Sequence, residues 1–140
     1  MNTEYSVAAH WGGNFDEAGL RQWAEDLRRQ LRAPQVSLGL VFMTPRLFPY
    51  AKQVREILRV HARIPLLAGC SSTGLVAGPE EIEDNGGVAL ALYALPGATL
   101  NEYYFTQSQV EASTGSDYWP TATGVPVARR TSESTRLSAI

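Results

Sequence analysis

The chain is poor in the residues on which most site chemistry relies. Its 140 residues include one cysteine and two histidines, Cys70, His10 and His61. A single cysteine excludes an internal disulfide, which fits a reducing compartment, and these three residues have no zinc-site spacing. Charge is sparse as well. At 19% charged residues and a net charge of −2, the chain has no field that would gather nucleic acid or anionic lipid. Long apolar runs are missing too: the longest, Val88–Leu95, falls far below the ~20 residues that span a bilayer. The N-terminus, Met1-Asn2-Thr3-Glu4-Tyr5-Ser6, has no basic patch leading into an apolar stretch, so no signal peptide is read. The expectation is a soluble, cytoplasmic chain without a membrane span. Its hydrophobic content of 44% is enough for a core.

Periodicity supplies the elements. Tyr5–His10 reads as a first strand ended by Trp11-Gly12-Gly13. Asn14 then reads as a helix N-cap, with Glu17 completing a capping box. Leu20, Trp23, Ala24, Leu27 and Leu31 recur at three- and four-residue steps and predict one buried face, with a Glu25–Arg29 pair outside. The arginines near the end of this helix read as a solvated face. Gln35–Met43 is nearly continuously apolar, as in a strand covered on both faces. Pro49 suits the first turn of a second helix whose Tyr50, Val54, Ile57, Leu58 and His61 share a face.

Ile64–Ala68 then completes a strand–helix–strand unit with parallel strands. The segment Gly78–Gly87 reads as an acidic, turn-rich excursion. Val88–Leu95 reads as a central buried strand and Leu100–Thr106 as a half-exposed one. The fold class is mixed α/β, an N-terminal βαβαβ part with parallel strands followed by antiparallel strands. From Gln107 to Ile140 serine, threonine, glycine and small residues dominate, and a disordered tail is expected beyond about Pro120.

The stretch around which the chain is organised is Gly69-Cys70-Ser71-Ser72-Thr73-Gly74, at the tip of the third strand. It is no phosphate-binding P-loop, having no lysine after its second glycine and a strand rather than a helix behind it. It is no nucleophile elbow either, since threonine stands where that motif has glycine. Backbone N–H groups and hydroxyls that could hold a small polar ligand remain, with a plain glycine-permitted turn as the alternative. Cys70 as a nucleophile would need a neighbouring base. A buried cysteine acting as a small hydrophobe is the commoner case. His61 reads as a core or interface histidine with one hydrogen bond. His10, at a sheet edge, is the better of two weak metal or haem candidates. Glu80, Glu81, Glu83 and Asp84 lack the ligand pattern of a calcium loop and read as a solvated loop.

Taken together, Pro65-Leu66-Leu67-Ala68-Gly69-Cys70-Ser71-Ser72-Thr73-Gly74, the charged excursion and Gly86-Gly87-Val88-Ala89-Leu90-Ala91-Leu92 resemble the FIST N-terminal domain. The strand Ser37–Phe42 and the helix after it fit the same family. The resemblance runs over roughly Tyr5–Thr106, within a domain set at residues 1–106, with 107–140 as a low-complexity tail. It implies a non-enzymatic, intracellular sensory domain. The small ligand would lie at Gly69, Cys70, Ser71, Ser72, Thr73 and Gly74. The signalling partner would be a histidine kinase, a diguanylate cyclase or a chemoreceptor-type protein. It also implies a haem-based nitric oxide sensor as an alternative reading; a thiol enzyme using Cys70 ranks last. Family domains continue into a further helix and strands and commonly into a FIST C-terminal domain. Here residues 107–140 take their place, and the expectation is an incomplete domain, a truncated or frameshifted member without independent function as one outcome.

Overall fold

The computed structural model describes residues 4–71, 74–77, 80–83, 86–113 and 118–124, with the backbone course alone in 74–77 and 80–83. The chain packs as two units, Met1–Leu100 and Asn101–Ile140. The first carries β1 (Ser6–Gly12), α1 (Glu17–Gln30), β2 (Leu38–Met43), a short 3-10 helix (Pro45–Tyr50), α2 (Ala51–His61) and β3 (Leu67–Ser71). After these come β4 (Gly74–Ala77), β5 (Glu80–Glu83) and β6 (Gly87–Tyr93). The mixed α/β class read from the sequence is the one observed.

Four strands form the main sheet in the order β1-β6-β2-β3. β2 and β3 are parallel, and β6 runs antiparallel to both β1 and β2, between them. β1, β2 and β3 therefore point the same way, as the strand–helix–strand pattern requires, but β1 is separated from β2 by the late strand. The expected central position of Val88–Leu95 is observed. Its outward sequence pattern has a simple cause: Val88, Leu90 and Leu92 are 0–1% exposed under the helices, and alanines alternate with them toward the other face.

α1 and α2 form one layer on that face. Leu20, Ala24 and Leu27 of α1 and Val54, Ile57 and Leu58 of α2 join the strand residues in a single apolar cluster. The register turns the rows Ala8–Ala91–Leu40–Ala68 and His10–Ala89–Phe42–Cys70 to the opposite face. There Phe42 is 37% exposed, and Ala68 and Cys70 are exposed.

Local chemistry moves several boundaries. α1 is capped by Asp16, which accepts from the Gly19 N–H at 3.2 Å, and not by Asn14, whose carbonyl is taken by Trp11 Nε1 at 3.3 Å. Glu25 and Arg29 do not pair side chain to side chain. Arg29 pairs with Asp26, and Glu25 turns to His61. Pro49 lies in the 3-10 helix ahead of α2, and Tyr50 leaves the buried face to stack on Phe15 at 4.7 Å. β3 starts at Leu67 and runs through Cys70 and Ser71, later than Ile64–Ala68. Residues 62–64 are used instead to end α2, where the Ile64 N–H donates to Arg59 O. Part of the acidic excursion is a strand: β5 pairs antiparallel with β4, Leu75 opposite Ile82.

In the second unit, Leu100–Thr106 is not a strand, because no neighbour offers it a ladder. Two short helices, α3 (Gln107–Ala112) and α4 (Tyr118–Thr123), stand where no helical pattern is legible. Thr106 and Gln109 form a reciprocal capping box for α3. Phe105 meets Trp119 edge-on at 4.7 Å, and the Tyr103 hydroxyl donates to Thr123 O at 2.6 Å. The expected disorder beyond Pro120 does not hold for 121–124; residues 125–140 lie outside the described residues.

Leu90→Ala should cost about 3 kcal/mol, lost transfer energy plus a cavity. Phe42→Ser, on the open face, should stay within about 1 kcal/mol. Urea unfolding of the two variants checks this; equal losses would mean that both faces are sealed.

Candidate functional site

The carboxyl ends of β1, β2 and β3 lie on one side of the sheet, where open α/β sheets place ligands. Ser71 stands opposite Met43 at this edge, with Cys70 opposite Phe42 just inside it. Cys70 is a strand residue and exposed, contrary to the commoner expectation of a buried thiol. The reason is its position: β3 is the outer strand of the sheet, and residues 68–71 are exposed together. Gly69 is exposed as well, and its constraint comes from the neighbouring strand. A Cβ there would run into the Val41 carbonyl oxygen, so only glycine lets β3 approach β2 this closely. Ser72 and Thr73 lie outside the described residues, and Gly74 opens β4.

A second feature of this edge went unread in the sequence. Thr44, buried at 4%, donates its N–H to Gly87 O at 3.0 Å, and its hydroxyl accepts from the Gly87 N–H at 2.7 Å. The pair ties the end of β2 to the start of β6. Gly87 also has the His10 ring against it: a Cβ there would stand 2.7 Å from His10 Nε2. The only sequence signal for this junction was a Gly-Gly pair ahead of an apolar run.

The three chemistry-bearing residues do not converge. His10 and Cys70 share one register row but occupy opposite edges of the sheet, three strand spacings or about 14 Å apart. His61 belongs to the helix layer, where its Nδ1 lies 3.0 Å from Glu25 Oε1 across the α1–α2 interface. That is the interface role read from its spacing. Among the described residues no three His, Cys, Asp or Glu side chains come together. His10 does not fit a haem ligand, because its Nε2 is buried against Gly87 and leaves an iron no approach. His61 has Glu25 and arginines on one side and an open strip of Val60, Ile57 and Phe15 on the other, not the enclosing apolar walls a macrocycle needs. Glu80, Glu81 and Glu83 follow one another along β5, and Asp84 lies outside the described residues.

The helix layer itself carries an open groove between α1 and α2. One part, about 620 Å³, is walled by Glu25, Arg28, Arg29, His61 and Arg63. The adjoining part, about 510 Å³, runs over Ile57 and Val60 to Phe15. Arg28 is largely committed to structure, donating to the carbonyls of Leu31, Ala33 and Pro34 and so closing the α1 terminus. Farther along α2, Arg59 holds the Glu56 carboxyl below its ordinary range by hydrogen bond and charge, at full exposure.

Compared with family models, with curated proteins and with solved structures, the chain matches none. The resemblance to FIST domains accordingly rests on the residues quoted for it.

Gly69→Ala should destabilise by about 2 kcal/mol or more, through strain between β3 and β2. Cys70→Ser should leave stability within about 0.5 kcal/mol. In the folded protein Cys70 should react with a maleimide nearly as fast as in denaturant. A thiol protected until unfolding would contradict its exposed position.

Proposed function

We propose that the chain is a non-catalytic sensory domain of the FIST N-terminal kind, binding a small polar ligand where β3 leaves the sheet. The observation that carries this reading is the register of the parallel pair. It puts the Gly69–Ser71 end of β3 at the carboxyl edge, with Ser71 and Cys70 exposed beside backbone that has no second partner strand among the described residues. Such an edge offers N–H donors and hydroxyls to a ligand's carboxylate, amide or hydroxyl groups. The separation of Cys70 from His10 by three strand spacings, with His61 engaged by Glu25 in the helix layer, supports binding over thiol catalysis, since a thiolate nucleophile needs a base within hydrogen-bond reach.

No helix of the described residues is long and apolar enough to cross a membrane. A cytoplasmic setting and a signalling partner of the histidine kinase, diguanylate cyclase or chemoreceptor type belong to the same proposal, on the strength of the resemblance.

A thermal-shift screen of amino acids and other small polar metabolites tests the reading. A ligand at about 100 times its dissociation constant should stabilise the protein by about 2.7 kcal/mol. The gain should vanish in the double variant Ser71→Ala, Ser72→Ala. A cooperative melt that no compound shifts, in parent and variant alike, would make the loop a plain turn.

A further inference from the structure

We infer that the groove between α1 and α2 is a binding site for a small organic anion, a carboxylate or phosphate on an apolar body, anchored by Arg63. The inference is independent of the strand-end loop. Among the described residues Arg63 is the only one other than glycine with positive φ, at 53°. Its N–H donates to Val60 O at 3.3 Å, and the next N–H, of Ile64, reaches back to Arg59 O at 2.9 Å. This is a helix-ending pattern whose left-handed position normally belongs to glycine. An L side chain there strains the folded state, and strain retained against an easy substitution points to a use for the side chain.

Support of the helix terminus does not supply that use. Arg59 already places a cation in the last turn of α2 without strain, and Arg28 serves the terminus of α1. The Arg63 guanidinium makes no hydrogen bond or ion pair among the described residues. It faces a groove wall that also holds Arg28, Arg29 and Glu25. His61 engages Glu25 and Asp26 pairs with Arg29, which leaves Arg28 and Arg63 as the cations of this wall without a carboxylate partner among the described residues. The Arg28 Nε–H is buried and has no acceptor among the described residues. In a chain of net charge −2, this is a local excess of positive charge around a concavity. Guanidinium forks match the planar oxygens of carboxylate and phosphate.

Beyond His61 the floor turns apolar. Val60 is 53% exposed, and Ile57 and Phe15 continue the wall. A charged head at Arg63 would thus leave a hydrocarbon or aromatic body on Val60 and Ile57, and the groove volumes are of small-molecule size.

The test titrates the full chain with benzoate, phenyl phosphate and inorganic phosphate at constant ionic strength, with benzyl alcohol as the uncharged control. Backbone amide shifts and melting temperature are followed. Benzoate or phenyl phosphate should move the amides of Val60–Ile64 and of Arg28–Leu31, inorganic phosphate more weakly, and benzyl alcohol not at all. Which of the two aromatic anions binds tighter assigns the head group. Arg63→Gly should raise the ligand-free melting temperature by about 3–5 °C. It should weaken anion binding by about tenfold or more. Arg63→Lys, which keeps charge and strain, should retain part of the affinity. The inference is overturned if neither aromatic anion moves these amides at millimolar concentration, if Arg63→Gly binds as the parent does, or if Arg63→Gly melts no higher than the parent.

Discussion

The structure depends on the packing of α1 and α2 against Val88, Leu90 and Leu92. These three residues of β6 lie in the middle of the sheet, where β1 and β2 pair directly beside them and β3 is added through β2. The hydrophobic effect needs one sealed layer, and here a single helix layer on one face supplies it. The opposite face follows from the same economy of elements: its two rows are built of alanines, Leu40, Phe42, His10 and Cys70, and neither helix of that layer lies on it. Position on the outermost strand is what exposes Cys70, a residue that statistics would bury.

Much of the first unit was legible because its signals are periodic. The three- and four-residue steps from Leu20 to Leu31, and those of Val54, Ile57 and Leu58, mark buried helix faces whatever the neighbours do. Val88–Leu95 reads as central because both its faces are apolar. The failures share one physical cause: they turn on which of several adequate partners wins. Asp16 and Asn14 are equally good caps, and the indole of Trp11 decided between them by taking the Asn14 carbonyl. Glu25 could reach Arg29 along its own helix or His61 across the interface, and helix packing chose the second. Thr44 and Gly87 stand 43 residues apart, beyond any local pattern.

The candidate site was legible in place and not in composition. A glycine-bounded run of small polar residues after an apolar strand signals a strand tip, and Ser71 is at one. The sequence could not show that Gly69 is held by the Val41 carbonyl and not by a turn, because the requirement comes from the neighbouring strand. Arg63 was invisible for a similar reason. An arginine after a helix is ordinary; an arginine in a left-handed backbone conformation is a fact of structure alone. The second unit shows the limit of compositional reasoning, since Thr106 with Gln109 and Phe105 with Trp119 organise short helices in a segment without helical apolar periodicity.

The order of the strands also bears on how the chain reaches this fold. Among the described residues β1 has β6 as its only ladder partner, with Ser6 opposite Tyr93, so β1 has none of the sheet's strands to pair with until β6 follows it in synthesis. At synthesis rates of roughly 5–20 residues per second, the 81 residues between Gly12 and Tyr93 amount to a wait of roughly 4–16 s. The parallel β2–β3 pair and the helix joining them are local enough to form in that interval, while β1 stays unpaired with its apolar Val7, Ala9 and Trp11 uncovered. Refolding of the finished chain starts with all strands present, so it is free of this delay but still faces the slow search that distant pairings impose. The nascent chain and the released chain thus begin from different problems, and the difference lies wholly in where β6 was inserted.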